Sequence, residues 1–460
     1  MLYFKERVCN SFGNRYNAYR FINLPITFEI KKNWRGMDML KYRMRIMVPA
    51  MAVVLSAISM VSADTWHLGK DQDWKPVTAE GRDKFLLAVT QTKKLVNTGQ
   101  TKAARQAFDK LKKDFPEIAG PDLDIFIKAE MLFCAGKFTH AVDNYEKLIT
   151  KYPDSELRDA ALDRQFGIAM AFLGGQKKTV LGVFEVTGYA EGLEIMKRIS
   201  EQAPDTPIGT EATVAMAQQY EEKGQFTKAL RIYEKLLTEQ PDSDFRDQVM
   251  DRQYAIATAY LGGQKKRVLR VVKLKGYAEG VRIMEKITDR AGLDTQMGLN
   301  ASMSVAEHYE RKKEFNASYL KWWEISSQYP AGKTGMDALL NMARCKHAAY
   351  NNHPEHKRPF YDASSLSIAK SCYEKFKLFY PAGTEEIDVD EVLKEINEQL
   401  AYKQFSIGQY YQRTGNKQSA NLYFDMVVND WPGTKAAEMA KEILSVNSGG
   451  NERENEETKS

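Results

Sequence analysis

The sequence predicts an all-α solenoid, a right-handed superhelix of stacked helix pairs, on three observations. The string LGGQKK occurs at Leu173–Lys178 and again at Leu261–Lys266, a spacing of 88 residues. Extended outward, Asp163–Gly192 lies over Asp251–Gly280 with 20 of 30 positions identical, and GKFTHAVDNYEKLITKYPDSELRD lies over GQFTKALRIYEKLLTEQPDSDFRD in the same register. Self-similarity at a fixed period marks a repeat architecture. Secondly, apolar residues recur with a helical period from Thr78 to Leu444, uninterrupted by any long alternating run. Thirdly, small, aromatic, glycine and proline residues punctuate that period in fixed slots: Ala129, Leu132, Gly136, Phe138, Ala141, Tyr145, Leu148 and Pro153, then Ala217, Tyr220, Gly224, Phe226, Ala229, Tyr233, Leu236 and Pro241.

In chain order, residues 1–63 form a leader. MLKYRMR supplies a cationic segment, IMVPAMAVVLSAISM an apolar one, and Val61-Ser62-Ala63 a small-residue cleavage site before Asp64. These are the three parts of a secretory signal peptide, with cleavage expected after Ala63. The apolar run falls short of the roughly 20 residues of a membrane span; an uncleaved signal anchor is the alternative. Signal peptides open a chain, so translation is expected to start at Met37 or Met39. The leader also explains the charge. The whole chain carries +5, but residues 1–63 hold ten Lys/Arg against three Asp/Glu, leaving 56 basic and 58 acidic residues in the body. A nearly neutral body lacks the electrostatic footprint of a nucleic-acid binder. Cys134, Cys345 and Cys372 lie scattered within helical patterns and are expected as buried free thiols rather than a disulfide framework.

Residues 64–77 are expected as a linker and 78–155 as the first repeats. Within each repeat, Ala129 and Ala141 sit where two antiparallel helices cross, because only a small side chain lets the axes approach. Gly136 turns the chain, Tyr145 fills the seam, and Pro153 stops the second helix. This pattern resembles the tetratricopeptide repeat. Ala104, Phe108 and Pro116 fit an earlier copy; Ala306, Tyr309, Phe315, Ser318, Trp322 and Pro330 a later one; Ala369, Tyr373 and Pro381 follow, then Gly408, Tyr411, Gly415, Ala420, Phe424 and Pro432. In such arrays the first helices line a concave groove. The slots one and four residues beyond the small residue hold Glu130, Gln218, Glu221, Glu307, Glu310, Gln409 and Gln412, with Arg311 and Arg413 nearby. Relatives that clamp a free C-terminal carboxylate need Lys, Arg and Asn there. The acidic, amide-rich slots here suit an extended basic or neutral polar segment, or a partner helix. Trp322 is in phase with the core, which leaves Trp323 to face outward as a contact.

The duplicated block, 156–298, breaks the spacing. Ala169 to Gly192 spans 23 residues where Ala129 to Ala141 spans 12. Gly174-Gly175 and Gly262-Gly263 end helices, and the inserted residues, rich in Val and Phe, predict a short hairpin or extended arm. The second arm carries Lys265, Lys266, Arg267, Arg270, Lys273 and Lys275 without an acid among them. It reads either as a foot for anionic lipid or an acidic partner, or as a solvated edge that prevents sheet aggregation.

Residues 299–446 add a family. YDASSLSIAKSCYEKFKLFYPAG and the segment after it resemble the BamD family, periplasmic tetratricopeptide lipoproteins of the outer-membrane β-barrel assembly machine. The matching features are Leu400-Ala401 opening a long helix, Tyr410-Tyr411, Gly415, Ala420, Trp431-Pro432 and a long loop from Asn351 to Pro359. The resemblance is good over Ala301–Leu444. It implies a periplasmic, non-enzymatic scaffold that binds envelope proteins, assembly-machine subunits or outer-membrane protein segments among them. That family is anchored through a lipidated cysteine after its signal, and no cysteine lies near Ala63. The protein would then be soluble, or held to the membrane by a partner or by the basic arm, and a peripheral membrane adaptor is the alternative function.

Enzyme signatures are missing: no Gly-rich phosphate loop, His-Glu-x-x-His, Gly-x-Ser-x-Gly or Cys-x-x-Cys occurs. Cys345, His347, His353 and His356 follow no metal-ligand spacing, so neither metal nor cofactor is expected. The tail, residues 447–460, is polar and charged and is expected to be disordered.

Overall fold

A computed structural model describes residues 65–68, 74–77, 79–180, 184–268 and 272–457. The leader, its cleavage site and Arg270 lie outside the described residues. The described chain is helical, apart from three two-stranded hairpins. The chain divides into two compact units at Pro241–Asp242.

The first unit begins with an antiparallel hairpin, β1 (Thr65–Leu68) and β2 (Trp74–Val77), where the sequence predicts only a linker. Three helix pairs follow: α1 (Ala79–Asn97) with α2 (Thr101–Asp114), α3 (Pro121–Cys134) with α4 (Phe138–Lys151), and α5 (Arg158–Leu173) with α6 (Tyr189–Gln202). Strands β3 (Lys177–Val180) and β4 (Phe184–Thr187) stand between the last two helices. Then come α7 (Pro207–Glu222) and α8 (Phe226–Glu239). Ala129, Ala141, Tyr145 and Leu148 are fully buried, as the repeat grammar requires. They belong to a core that runs from Phe85 to Ala212.

The second unit holds α9 (Arg246–Leu261), strands β5 (Lys265–Val268) and β6 (Val272–Lys275), α10 (Tyr277–Ala291), α11 (Gln296–Arg311) and α12 (Phe315–Gln328). Helix α13 (Gly332–Asn351) follows, then a 3-10 turn at Glu355–Phe360, α14 (Ser364–Phe379) and the short α15 (Pro381–Glu386). The unit ends with α16 (Val389–Arg413), α17 (Lys417–Asp430) and α18 (Lys435–Glu457). One core gathers Ala306, Trp322, Ala343, Tyr373 and Phe376, and another Ala401, Phe405, Ala420, Phe424 and Ala437. The Asn351–Pro359 loop is held by Arg358, which donates to the carbonyl oxygens of His353 and Asn351 at 3.0 Å each.

Two helix boundaries depart from expectation. Leu400-Ala401 lies in the middle of α16 rather than at its start, because Val389–Leu400 holds three Glu and two Leu and continues the helix upstream without a Gly or Pro breaker. Helix α18 runs to Glu457, through residues expected to lack structure.

The turn between helices has one backbone solution. Gly136, Gly224 and Gly415, each seven residues beyond the small residue, adopt φ of +75°, +67° and +81°. Around Gly136 its amide donates to Phe133 O and the Lys137 amide to Leu132 O, which ties off the helix end. At the same slot after α11 stands Lys313, also left-handed at φ +60°, with the same pair of bonds from Lys313 to Glu310 and from Glu314 to Tyr309. The turn geometry is therefore imposed by stacking and not by glycine alone.

Both enlarged loops are hairpins. The Gly188 amide closes the first on Gln176 O at 3.1 Å, and the Gly276 amide closes the second on Gln264 O at 2.9 Å. The two glycines are required by close approach: a Cβ would sit 2.3 Å from Phe172 Cδ1 at Gly188 and 2.2 Å from Tyr260 Cδ1 at Gly276.

Candidate functional site

The residues assigned to a groove separate into two groups. Glu130, on α3, leaves the candidate surface: it is fully buried and paired with Arg164 of α5, itself 1% exposed. Arg164 Nε and Nη2 each approach the carboxylate at 2.7 Å, a bidentate contact. Arg164 Nη1 donates to Asn97 Oδ1 at 2.6 Å, and the guanidinium lies 4.6 Å from the centre of the Phe133 ring. Tyr145 Oη donates to Glu130 Oε1 at 2.7 Å. Burial, and the Glu130 carboxylate beside it, push the Tyr145 phenol well above its ordinary value. Lys93 borders the cluster, and its pKa is lowered by burial and by Arg164.

Glu221 and Glu310 are likewise engaged inside their own repeats. Tyr233 Oη donates to Glu221 Oε2 at 3.1 Å. Trp322 Nε1 donates to Glu310 Oε1 at 2.6 Å, joined by the Ser318 hydroxyl at 3.1 Å. In both repeats the acceptor precedes the seam aromatic by twelve residues. Where that aromatic has no polar tip, as at Phe424, the slot holds the exposed Gln412. The fourth-residue slot thus serves the seam's hydrogen bonding. Its phase resembles that of a surface position, which is why single-repeat reasoning misassigns it.

Glu307, Arg311, Gln412 and Arg413 are exposed, and Gln218 and Gln409 are half-buried. Glu307 and Arg311 form a 3.8 Å pair one helical turn apart. The adjacent tryptophans divide as their phase predicts: Trp322 is 2% exposed and Trp323 53%.

On the second arm, Lys266 is taken by Glu279 at 3.0 Å, just as Lys178 is taken by Glu191 at 2.9 Å in the first. Burial opposes charge on Glu279, but hydrogen bonds from Arg282 and Lys266 prevail and hold its carboxyl below the ordinary value. Lys266 is therefore a fastening at the base of the hairpin. Lys275 lies 5.5 Å from the centre of the Tyr277 ring, and Lys265 is exposed. The register sets Arg267 opposite Lys273.

Cys345 and the histidines are dispersed. The Cys345 thiol faces Glu310 and Ser318, and burial pushes it up to about 12. His347 approaches Glu395 at 3.7 Å, and His353 stacks on Tyr361 with ring centres 3.8 Å apart. Among the described residues no group of three or more His, Cys, Asp or Glu is placed to hold a metal ion. All three described cysteines are buried and unpaired by disulfides.

The tetratricopeptide repeat family matches residues 85–117 and 211–243, which cover α1–α2 and α7–α8. The YfiO family, described as outer membrane lipoproteins and BamD-like, matches residues 336–458. The chain carries tetratricopeptide repeats and, over residues 336–458, resembles the BamD-like family. No curated protein matches it in sequence. Among solved structures, a tetratricopeptide repeat protein from Parabacteroides merdae is 15% identical, with 70% of this chain and 97% of that one covered and a TM-score of 0.23. The C-terminal part of a repeat protein from Cytophaga hutchinsonii is 14% identical, covering 68% and 98%, at 0.25. The apo quorum sensor NprR from B. thuringiensis is 15% identical, covering 77% and 88%, at 0.24. No described helix is long and apolar enough to cross a membrane.

Proposed function

We propose that this chain is an exported, non-enzymatic scaffold of the cell envelope that binds other envelope proteins during outer-membrane protein assembly. The observation that carries this reading is the match of residues 336–458 to the outer membrane lipoprotein family, over helices that also carry the repeat's small and aromatic slots. The signal peptide expected from the sequence, Met37 or Met39 to Ala63, supports export. Stacked repeats supply the mechanism: a surface already ordered before the partner arrives, so little conformational entropy is lost on binding. The contacts proposed are the exposed side chains of the second unit: Glu307, Arg311, Trp323, Gln412 and Arg413, with the half-buried Gln409. Trp323 is the anchor among them, because a large exposed aromatic gains most from being covered.

Affinity purification of the tagged full chain from envelope membranes of its native host tests the reading. Recovery of a β-barrel assembly core subunit, reduced by Trp323→Ala, is expected. A chain that fractionates with the cytosol, or that recovers no assembly subunit, overturns it.

A further inference from the structure

The two duplicated hairpins have the same strand register and different charge. In β3–β4 the register pairs Lys177 with Thr187 and Thr179 with Glu185. Lys177 and Glu185 form a 3.5 Å ion pair across that face. In β5–β6 the same positions pair Lys265 with Lys275 and Arg267 with Lys273. Strand alternation puts these four positions on one face of the ribbon. Like charges directly opposite each other destabilise an antiparallel pair, so this face has four cationic positions where its twin has a neutral, internally paired one.

The other face is fastened or apolar. Lys266 is tied to Glu279 at 3.0 Å, Leu274 opposite it is 55% exposed, and Val268 pairs with Val272 at the far end of the ribbon. Cationic positions on one face, with Leu274, Val268 and Val272 at the positions of the other, are the arrangement of a segment that rests in a lipid interface, with headgroup phosphates beside the cations. A two-stranded ribbon four residues deep has no groove to fix the side chains of a peptide. A headgroup layer supplies anionic charge without requiring one.

We propose that the β5–β6 hairpin is a docking foot for an anionic lipid surface, through the four cationic positions that the strand register sets on one face, Lys265, Arg267, Lys273 and Lys275. This goes beyond the scaffold reading and does not depend on which envelope protein the chain binds. The first hairpin supplies the control, since its residues already support the same fold. The variant Arg267→Thr, Lys273→Glu, Lys275→Thr installs them in the second hairpin, and Thr179→Arg, Glu185→Lys, Thr187→Lys does the reverse.

Purified full chain is sedimented with phosphatidylcholine vesicles, with and without phosphatidylglycerol, across a salt series. The chain is expected to bind only the anionic vesicles and to release as salt rises. The first variant should lose on the order of a hundredfold in partitioning, and the reverse variant should gain. Circular dichroism confirms that both remain helical; if the first does not, the salt series on the unaltered chain decides. Equal binding to both vesicle types, an unaffected first variant, or capture by polyglutamate but not by vesicles overturns the proposal.

Discussion

Arg164 and Arg252 occupy the same position in the two copies of the duplicated block, yet one is buried against a carboxylate and the other is exposed. Two neighbouring differences account for this. Glu130 in the first copy corresponds to the half-buried Gln218 in the second, and Phe133 corresponds to Glu221. The carboxylate has moved three residues along the helix. At its first position it accepts from Arg164 and Tyr145; at its second it accepts from Tyr233. With the carboxylate gone from the first slot, a buried Arg252 would be an uncompensated charge, which costs several kcal/mol. The lesson is that a duplicated fold conserves its seam, small residue on aromatic, while the polar groups that decorate the seam are free to be reassigned in concert.

The largest expected effect breaks the buried pair. Arg164→Met should destabilise by about 3–5 kcal/mol, because Glu130 is left charged and buried, whereas Arg252→Met should cost about 1 kcal/mol or less, because contacts of an exposed cation are screened by solvent. Urea unfolding of both variants measures this. Adding Glu130→Gln to Arg164→Met should restore most of the loss, since the orphaned charge then disappears. Equal losses at the two arginines would show that the copies are not electrostatically distinct.

A smaller effect separates the two seam tyrosines. Tyr145→Phe removes a buried hydrogen bond to an ionised group and should cost about 1.5–3 kcal/mol, and Tyr233→Phe about 1 kcal/mol. The first copy should also carry a pH signature. Tyr145 stays protonated in the folded state above its ordinary value of 10.0, so the unfolded chain binds fewer protons there. Stability contributed by this group is complete below pH 10 and falls as pH rises above it. Tyr145→Phe should remove that component of the alkaline loss, and Tyr145→Phe unfolding curves with an unchanged alkaline slope would count against the buried placement.

What was legible in the sequence follows the same division. Ala129, Ala141, Gly136 and Tyr145 could be read because sterics leave each slot few options, and the hairpins because 23 residues stand where 12 suffice. The division of Trp322 from Trp323 followed from helical phase alone. Glu130 could not be placed, because its partner lies 34 residues away in the next helix pair, beyond the reach of a repeat's internal period. Glu310 failed differently: its acceptor role becomes visible only when Glu221 with Tyr233 is laid over Glu310 with Trp322. The start of α16 at Val389 carries no residue of the family pattern, which begins at Leu400-Ala401 inside the helix.

The smallest effect tests whether stacking or glycine sets the turn. Gly136 and Gly224 stand in the two copies at the left-handed slot where Lys313 stands after α11. A side chain in that conformation costs about 1–2 kcal/mol relative to the right-handed one, and glycine relieves it while giving the unfolded chain more freedom to lose. The two terms oppose, and Lys313 makes no bond through its side chain that the turn requires, since both turn bonds are main-chain amides. Lys313→Gly should therefore stabilise the second unit by up to about 1 kcal/mol, read as a rise in thermal midpoint. Gly224→Lys should destabilise the first unit by a similar amount. A Lys313→Gly variant less stable than its parent would mean that the lysine side chain itself supports the turn, and that this repeat differs from the duplicated pair in more than tolerated strain.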